Sequence, residues 1–194
     1  MQFIRGAVAR GLAIVALVAG GSVGIALPAA AETPAPATSA ATSRPGDDCG
    51  RAPAPRHAQW LDGFLLRWVP SDAGPLVTDF EYEWEDVAFR SRVWESGPDA
   101  DGAYQVDLQV QVLRAPTLTD PAALRSFLAE YLERPGDWAT ESFDHPDGPG
   151  FRDADELFWL AAPGTAVRVQ AGEEVGSRDL ERTACAVRQV LGER

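Results

Sequence analysis

The segment 143–156, with the sequence FDHPDGPGFRDADE, gathers acids and a histidine around a Gly/Pro loop. Its acids and histidine are Asp144, His145, Asp147, Asp153, Asp155 and Glu156. Hard oxygen ligands that lie close in sequence can hold Ca²⁺ outside a cell. The sequence therefore offers Asp144, Asp147, Asp153 and Asp155 as metal ligands, with Ca²⁺ as the one cofactor considered. The alternative is plain turns, because the spacing is not that of an EF-hand loop and Pro and Gly favour turns.

A second concentration of acids occurs in FEYEWEDVAF, residues 80–89. Aromatic residues alternate with Glu81 and Glu83, which is the pattern of a strand with one solvated face. A hairpin with its loop at 85–88 would place Glu83 opposite Arg90 and Glu81 opposite Arg92. A glycosidase-type carboxylate pair needs one acid in an apolar pocket, so the solvated face is favoured. One long strand with a bulge at Glu85–Asp86 is the alternative geometry.

The hairpin model extends to a third strand, AYQVDLQVQVLR, which also alternates. Placing Val93 beside Tyr104 would bring Arg90 beside Asp107. The arginines would then neutralise the acids across strands, and the acids would have no catalytic role.

The sequence lacks the residues that several other kinds of catalytic site require. The chain contains no lysine, so Schiff-base and Walker-type lysine chemistry are excluded. His57 and His145 are the only histidines, and neither has a zinc-ligand spacing. No nucleophile elbow or phosphate loop is present. We therefore assign no catalytic residue.

The charge of the chain argues against nucleic acid as a partner. It has 17 basic and 29 acidic residues and a net charge of −12. Loss of an N-terminal segment with Arg5 and Arg10 lowers this charge to −14. A surface of this sign repels phosphate backbones.

Residues 1–31 have the three parts of a signal peptide. Arg5 and Arg10 make the start positive, residues 11–27 are apolar, and Ala29 and Ala31 form a small-x-small cleavage pattern. We expect cleavage before Glu32 and a secreted, extracellular protein. An uncleaved segment would instead act as a membrane anchor.

Residues 32–48, rich in Pro, Ala, Thr and Ser, follow this segment and are too polar to form a core. They are predicted to be a disordered linker before a globular domain, 49–194.

The two cysteines, Cys49 and Cys185, are predicted to form a disulfide, since an even pair in an oxidising compartment usually bonds. In a helix over SRDLERTACAVRQVL, Leu180, Ala184, Val187 and Leu191 would form the buried stripe. Cys185 would lie on its flank, within reach of a chain crossing from outside. A reactive thiol is the competing interpretation.

Two helices and several strands are predicted. Asp120 caps and Pro121 begins a helix over LTDPAALRSFLAEYLERPG. WLDGFLLRWVP favours a first strand, and ELFWLAAPGTAVRVQA a hairpin that turns at Pro163-Gly164. The order of elements predicts an α+β domain with a single antiparallel sheet packed by two helices.

Three stretches, WVPSDAG, EYEWEDVAFRSRVWESG and LFWLAAPGTAVRV, together resemble a family of uncharacterised secreted actinobacterial proteins. The resemblance covers about residues 60 to 190. It implies secretion, but no catalytic residue, because that family has no assigned activity. The closing hairpin, RDL and alanine-containing helix also resemble the sheet-and-helix domain of unknown function found beside bacterial anti-sigma factors.

The function expected from these features is that of an exported, soluble binding or accessory domain in or outside the cell wall. Its partner would be a cell-envelope protein, a glycan or an apolar ligand held between sheet and helix. The alternative is an extracellular hydrolase that uses the acids of 144–156, with or without Ca²⁺.

Overall fold

The computed structural model describes residues 49–50 and 58–190. The predicted signal peptide and linker, 1–31 and 32–48, lie outside the described residues, as does the end of the chain, 191–194. In the described part the α+β class is confirmed. The elements are, in chain order, β1 (Gln59–Leu61), β2 (Phe64–Leu66), β3 (Leu76–Trp84), β4 (Val87–Ser96), β5 (Gln105–Arg114), α1 (Pro121–Tyr131), β6 (Glu141–His145), β7 (Gly148–Arg152), β8 (Glu156–Ala162), β9 (Thr165–Ala171), α2 (Ser177–Ala186) and β10 (Val187–Gln189).

The described strands form two antiparallel sheets, so the predicted single sheet is wrong. The larger has seven strands in the order β3-β4-β5-β9-β8-β7-β6, and the smaller has the order β1-β2-β10. The small sheet exists because Asp62 and Gly63, both at positive φ, fold the predicted first strand into a hairpin. The second reason is that Val187 pairs with Leu66, so α2 ends at Ala186 rather than continuing to Leu191.

The seven-stranded sheet is covered on both faces. We call the side that packs against α1 the α1 face; it includes Phe89, Leu113 and Phe158, which cluster with Leu124 and Leu128 of the helix. We call the other side the α2 face. Its buried side chains cluster with α2 and the small sheet, and they include Trp94, Val110, Val167 and Trp159.

The interface between α1 and the sheet is filled by side chains of the chain itself. Leu113, Leu124, Leu128 and Phe158 are all fully buried there. The helix begins as predicted, since Asp120 accepts a hydrogen bond from the Ala123 amide and Pro121 occupies the first turn. The centre of the interface between α1 and the sheet is therefore occupied by the protein's own side chains.

The hairpin predicted for the 80–89 stretch exists, but its register differs by two residues. The turn is the dipeptide Glu85–Asp86, with both residues at positive φ, rather than the four residues 85–88. Glu81 therefore lies opposite Arg90, and Asp79 lies opposite Arg92. A shift of two keeps every side chain on its predicted face, because the side-chain period of a strand is two.

The predicted pairing of β4 with β5 is wrong. Arg90 lies opposite Val112, not beside Asp107, and the register shifts between Trp94 and Glu95. Asp107 is instead buried, where it accepts hydrogen bonds from the Gly74 amide and the Ser96 hydroxyl. The long connection between β4 and β5 is compatible with several registers. Asp107 is buried because the loop that contains Gly74 packs over it and donates a backbone hydrogen bond to its carboxylate.

The predicted disulfide is present between Cys49 and Cys185, with the two Cα atoms 5.1 Å apart. Cys185 is buried in the cluster on the α2 face rather than on an exposed flank. The bond joins residues separated by 136 positions, so it ties the start of the described chain to the end of α2. Neither described helix combines the length and apolar character needed to cross a bilayer.

Candidate functional site

Strand β3 is the outermost strand at one side of the seven-stranded sheet, and it is unusually exposed. Among the described strands only β4 pairs with it. Four of its large side chains, Leu76, Val77, Phe80 and Tyr82, are between 37% and 47% exposed. A long edge strand with exposed apolar side chains is a template for pairing with another chain.

The turn fixes which backbone groups of β3 point away from β4. A two-residue turn makes Trp84 and Val87 the hydrogen-bonded closing pair of the hairpin. Hydrogen-bonded and non-hydrogen-bonded pairs then alternate along the ladder. The backbone N–H and C=O groups at positions 77, 79, 81 and 83 are therefore directed to the outer edge. No described residue forms a backbone hydrogen bond with these groups.

The two faces of β3 have different chemistry. Phe80 and Tyr82 lie on the α1 face, where Tyr82 stacks on Phe89 with ring centroids 4.6 Å apart. Asp79, Glu81 and Glu83 lie on the α2 face. Alternation of apolar and acidic residues thus gives the free edge one apolar and one anionic side.

The acids on this strand are partly neutralised from β4. Arg92 binds both carboxylate oxygens of Asp79 at 2.7 Å, and this pairing holds the pKa of Asp79 below its ordinary value. Arg90 forms an ion pair with Glu81. Glu83 lies opposite Ala88, so its cross-strand neighbour offers no charge.

A hollow of about 280 Å³ opens beside the middle of β3, between that strand and β1. The indole of Trp60, 58% exposed, lines it. Three carboxylate residues and one arginine also line it, namely Asp62, Asp79, Glu81 and Arg90. An exposed aromatic ring beside carboxylates is suited to a cationic side chain. We call this feature the Trp60 hollow.

A buried ionic network lies on the α1 face. Glu156 is fully buried and binds Arg168, which is 3% exposed, and Arg134 at 2.8 Å. Arg168 also donates to Gln111 at 2.8 Å and to Gln170 at 2.9 Å. Because these donors and acceptors bind one another, we interpret the network as a structural element that fixes β5, β8 and β9 together.

Two tyrosine hydroxyls connect the buried network to the β3 edge. The Gln111 amide donates to the Tyr82 hydroxyl at 2.8 Å, and Tyr82 and Tyr131 share a hydrogen bond of 2.7 Å. Burial, together with the Tyr131 hydroxyl, raises the pKa of Tyr82. Tyr82 therefore stays a neutral phenol, and it links the edge strand to α1.

His145 is buried on the α2 face and is positioned by four contacts. Its ring stacks on Trp159 with centroids 4.0 Å apart. Nδ1 accepts a hydrogen bond of 3.1 Å from the Asp147 amide. Nε2 lies 2.8 Å from the Arg188 guanidinium and 3.2 Å from the Ala184 carbonyl oxygen. Burial and the nearby Arg188 guanidinium lower the pKa of His145 to about 3.

Acid should destabilise the protein through His145. Below about pH 6.5, the pKa of histidine in the unfolded chain, the unfolded chain binds a proton that the buried ring of the folded protein does not bind. The contribution of His145 to the free energy of unfolding is therefore fully present above about pH 6.5 and is lost as the pH falls toward 3. The slope from this group alone is up to about 1.4 kcal/mol per pH unit.

Urea unfolding between pH 7 and about 5 measures this slope at a pH where most carboxyls stay ionised. The matched variant is His145→Gln, whose side-chain amide offers both a donor and an acceptor and does not titrate. A slope that is equal in the two proteins would contradict the assignment.

The acidic segment does not form one site. Asp153, Asp155 and Glu156 have carboxylate oxygens within 4.8 Å of one another. Asp144 lies on β6, and Asp147 lies in the turn at the opposite end of β7 from Asp153. The predicted four-aspartate metal set is therefore divided between two ends of a hairpin.

The acids at these two ends already have protein partners. Asp147 Oδ2 accepts from the Gln189 amide at 2.7 Å, and burial raises the pKa of Asp147. Burial acts to raise the pKa of Asp153 as well, but hydrogen bonds from the Trp138 indole and the Ala154 amide lower it overall. Because Glu156 is bound by Arg134 and Arg168, a cation at the three-acid end would face two guanidinium groups.

A larger cleft, about 940 Å³, runs along α2 beside the disulfide. Its charged lining includes both signs, and Arg152 and Glu181 in it form an ion pair of 3.0 Å. Arg182 lies over the Trp68 ring, 4.2 Å from the centroid. These mutual contacts give the cleft no single chemical preference.

Comparison of the chain with protein-family models, with curated proteins and with solved structures finds no match. The resemblances noted from the sequence therefore remain predictions. No residue role is transferred to this chain from another protein, and the case for a site depends on its own geometry.

Sequence reasoning missed two features of this geometry. Trp60 had no assigned role, and its position beside β3 follows only from the packing of the small sheet. The pair Glu156 and Arg168 was also missed, although a signal existed. Arg168 lies in a strand whose neighbours are apolar on both sides in sequence, which indicates a buried charge that needs a partner.

Proposed function

We propose that this chain is an exported binding domain that captures an extended segment of another polypeptide on the free edge of β3, in or outside the cell wall. The main support is the β3 edge itself: nine residues, one hydrogen-bonded neighbour among the described strands, and apolar side chains exposed along it. Strand addition supplies affinity through backbone hydrogen bonds and specificity through alternate side chains.

Export is supported by the disulfide and by the predicted signal peptide. A disulfide persists in oxidising compartments and is rare in the cytosol. A polypeptide of the cell envelope is favoured over an apolar ligand because the interface between α1 and the sheet is filled. A polypeptide is favoured over a glycan because the unpaired groups on β3 are those of a strand edge.

The hydrolase alternative has weaker support. Its acids are split between two ends of the β6–β7 hairpin, and Glu156, the fully buried acid of this segment, is held by two arginines. A general acid of a glycosidase needs an apolar pocket that keeps it protonated. Arginine neighbours favour the ionised carboxylate instead.

The proposed function predicts that Glu81→Pro weakens peptide binding. Proline at position 81 removes an outward N–H while the pairing with β4 is kept, and edge strands tolerate proline at such positions. Fluorescence anisotropy with labelled nine-residue strand-forming peptides measures the binding. We expect a loss of at least about tenfold in affinity, which corresponds to one or two backbone hydrogen bonds.

The matched control is Glu81→Gln, which removes the same charge and keeps the amide. It should bind uncharged strand-forming peptides as the unmodified chain does. Equal binding by the proline and glutamine variants would show that the edge backbone takes no part and would overturn the proposal. Circular dichroism and urea unfolding confirm that both variants are folded.

A further inference from the structure

The chemistry along β3 restricts which extended segment it can accept. We infer that the partner is a strand in which basic residues alternate with apolar residues, and that one basic side chain enters the Trp60 hollow. This inference rests on the proposed function and goes further, because it names the chemistry of the partner and excludes a second copy of the chain.

The pairing of a partner strand with β3 determines which of its side chains lie beside the acids. In an antiparallel pair, residues directly opposite each other lie on the same face of the sheet. A segment paired with β3 therefore places one set of its side chains beside Asp79, Glu81 and Glu83, and the other set beside Thr78, Phe80 and Tyr82. The partner needs basic residues in the first set and apolar residues in the second.

The acids on β3 disfavour pairing with a second copy of this chain. If β3 paired antiparallel with β3 of another molecule, the outward-directed positions 77, 79, 81 and 83 of one strand would pair with the same set of positions in the other. The acids of the two strands would then lie on the same face of the combined sheet in every such pairing. Strand β3 contains three acids and no base. Like charges directly opposite each other destabilise a sheet, and charged edges are a common protection against self-association. The acidic row thus disfavours a homodimer through this edge and favours a basic partner.

The Trp60 hollow offers a place for one basic side chain of the partner. Glu81 and Asp79 line it from β3, and Asp62 and Trp60 line it from the first hairpin. A guanidinium group from the partner could stack on the exposed indole and approach carboxylate oxygens at the same time. Arginines of the chain already pair with the three carboxylates of the hollow, Asp62 with Arg114, Asp79 with Arg92 and Glu81 with Arg90. The β3 side of the hollow stays acidic overall, because the 76–96 hairpin contains six acids and two arginines.

The test uses the full chain and three labelled nine-residue peptides of one pattern, in which valine and phenylalanine alternate with arginine, serine or glutamate. We expect the arginine peptide to bind at least about tenfold more tightly than the serine peptide, and the glutamate peptide more weakly than both. The preference should shrink as ionic strength rises. Equal binding of all three peptides, with binding still lost in Glu81→Pro, would overturn this inference and leave the proposed function in place.

Variants of the hollow separate it from general electrostatic attraction. Trp60→Ala should weaken the arginine peptide about fivefold and leave the serine peptide unchanged. Tyr104→Ala, which removes a similarly exposed ring outside the hollow, is the matched control. An equal effect of both variants on the arginine peptide would contradict the assignment of the hollow.

Two further outcomes would also overturn the inference. A dimer in sedimentation experiments that Glu81→Pro dissociates would make the occupant of the edge a second copy. Arginine-peptide binding that is the same in Glu81→Pro and Glu81→Gln would show surface attraction without strand addition, and both the inference and the proposed function would then fail.

Discussion

Removing the disulfide with the double change Cys49→Ser and Cys185→Ser is expected to lower the free energy of unfolding by about 4 kcal/mol. The reason is that the bond spans 136 positions, so it greatly restricts the unfolded chain. In the folded state the bond also holds the chain at Cys49 against the buried end of α2, where Cys185 contacts the core. The double change is used because a single change would leave a free thiol.

Urea denaturation of the double variant and of the oxidised unmodified chain measures this effect. The unmodified chain in the presence of a reductant is the control, and it should unfold at the same urea concentration as the double variant. Equal midpoints for the oxidised chain and the double variant would contradict the prediction. In that case the bond would add nothing to stability, and the support that it gives to an extracellular location would weaken.

Replacing Glu156 by glutamine is expected to destabilise the protein by about 3 kcal/mol. Glutamine keeps the shape of the side chain, but it leaves the guanidinium of Arg168, 3% exposed, without its carboxylate. Arg134 loses its partner as well, although that residue is less buried. A charge left without a partner in the interior costs far more than a surface charge does.

A double-mutant cycle isolates this interaction. The cycle combines Glu156→Gln with Arg168→Gln, and we expect the double variant to be less destabilised than the sum of the two single variants. The matched surface change is Glu81→Gln, which breaks the exposed ion pair with Arg90 and should cost less than about 1 kcal/mol. Comparable losses for Glu156→Gln and Glu81→Gln would show that the buried network is not the structural element described above.

Local features of the sequence determined several elements of the fold. The first turn of α1 was predicted from Asp120 and Pro121, because a cap depends only on neighbours in sequence. The β8–β9 hairpin, which turns at Pro163-Gly164, is present for the same reason, and Gly164 has the positive φ that such a turn requires. The disulfide was also predicted, since only two cysteines exist.

Pairing between distant strands could not be predicted from local patterns in the sequence. The predicted β4–β5 register is wrong: Val93 lies opposite Gln109 and not beside Tyr104. Both faces of β5 are largely buried, so the alternation of apolar and polar residues that would fix a register is weak. The small sheet was missed because strands of three residues have almost no periodicity. The same absence of signal hid the point at which α2 gives way to β10.

For the candidate site, the sequence alone determined the alternation of acids and aromatics on β3, because a side-chain period of two is a property of the strand itself. Tertiary structure decided that β3 lies at an edge and that Trp60 and Asp62 come beside Asp79 and Glu81. It also separated Asp144 and Asp147 from Asp153 and Asp155, which are near in sequence but lie at opposite ends of a hairpin. The physical reason is that the position of a strand in a sheet depends on pairing between distant segments, and no local pattern encodes that pairing.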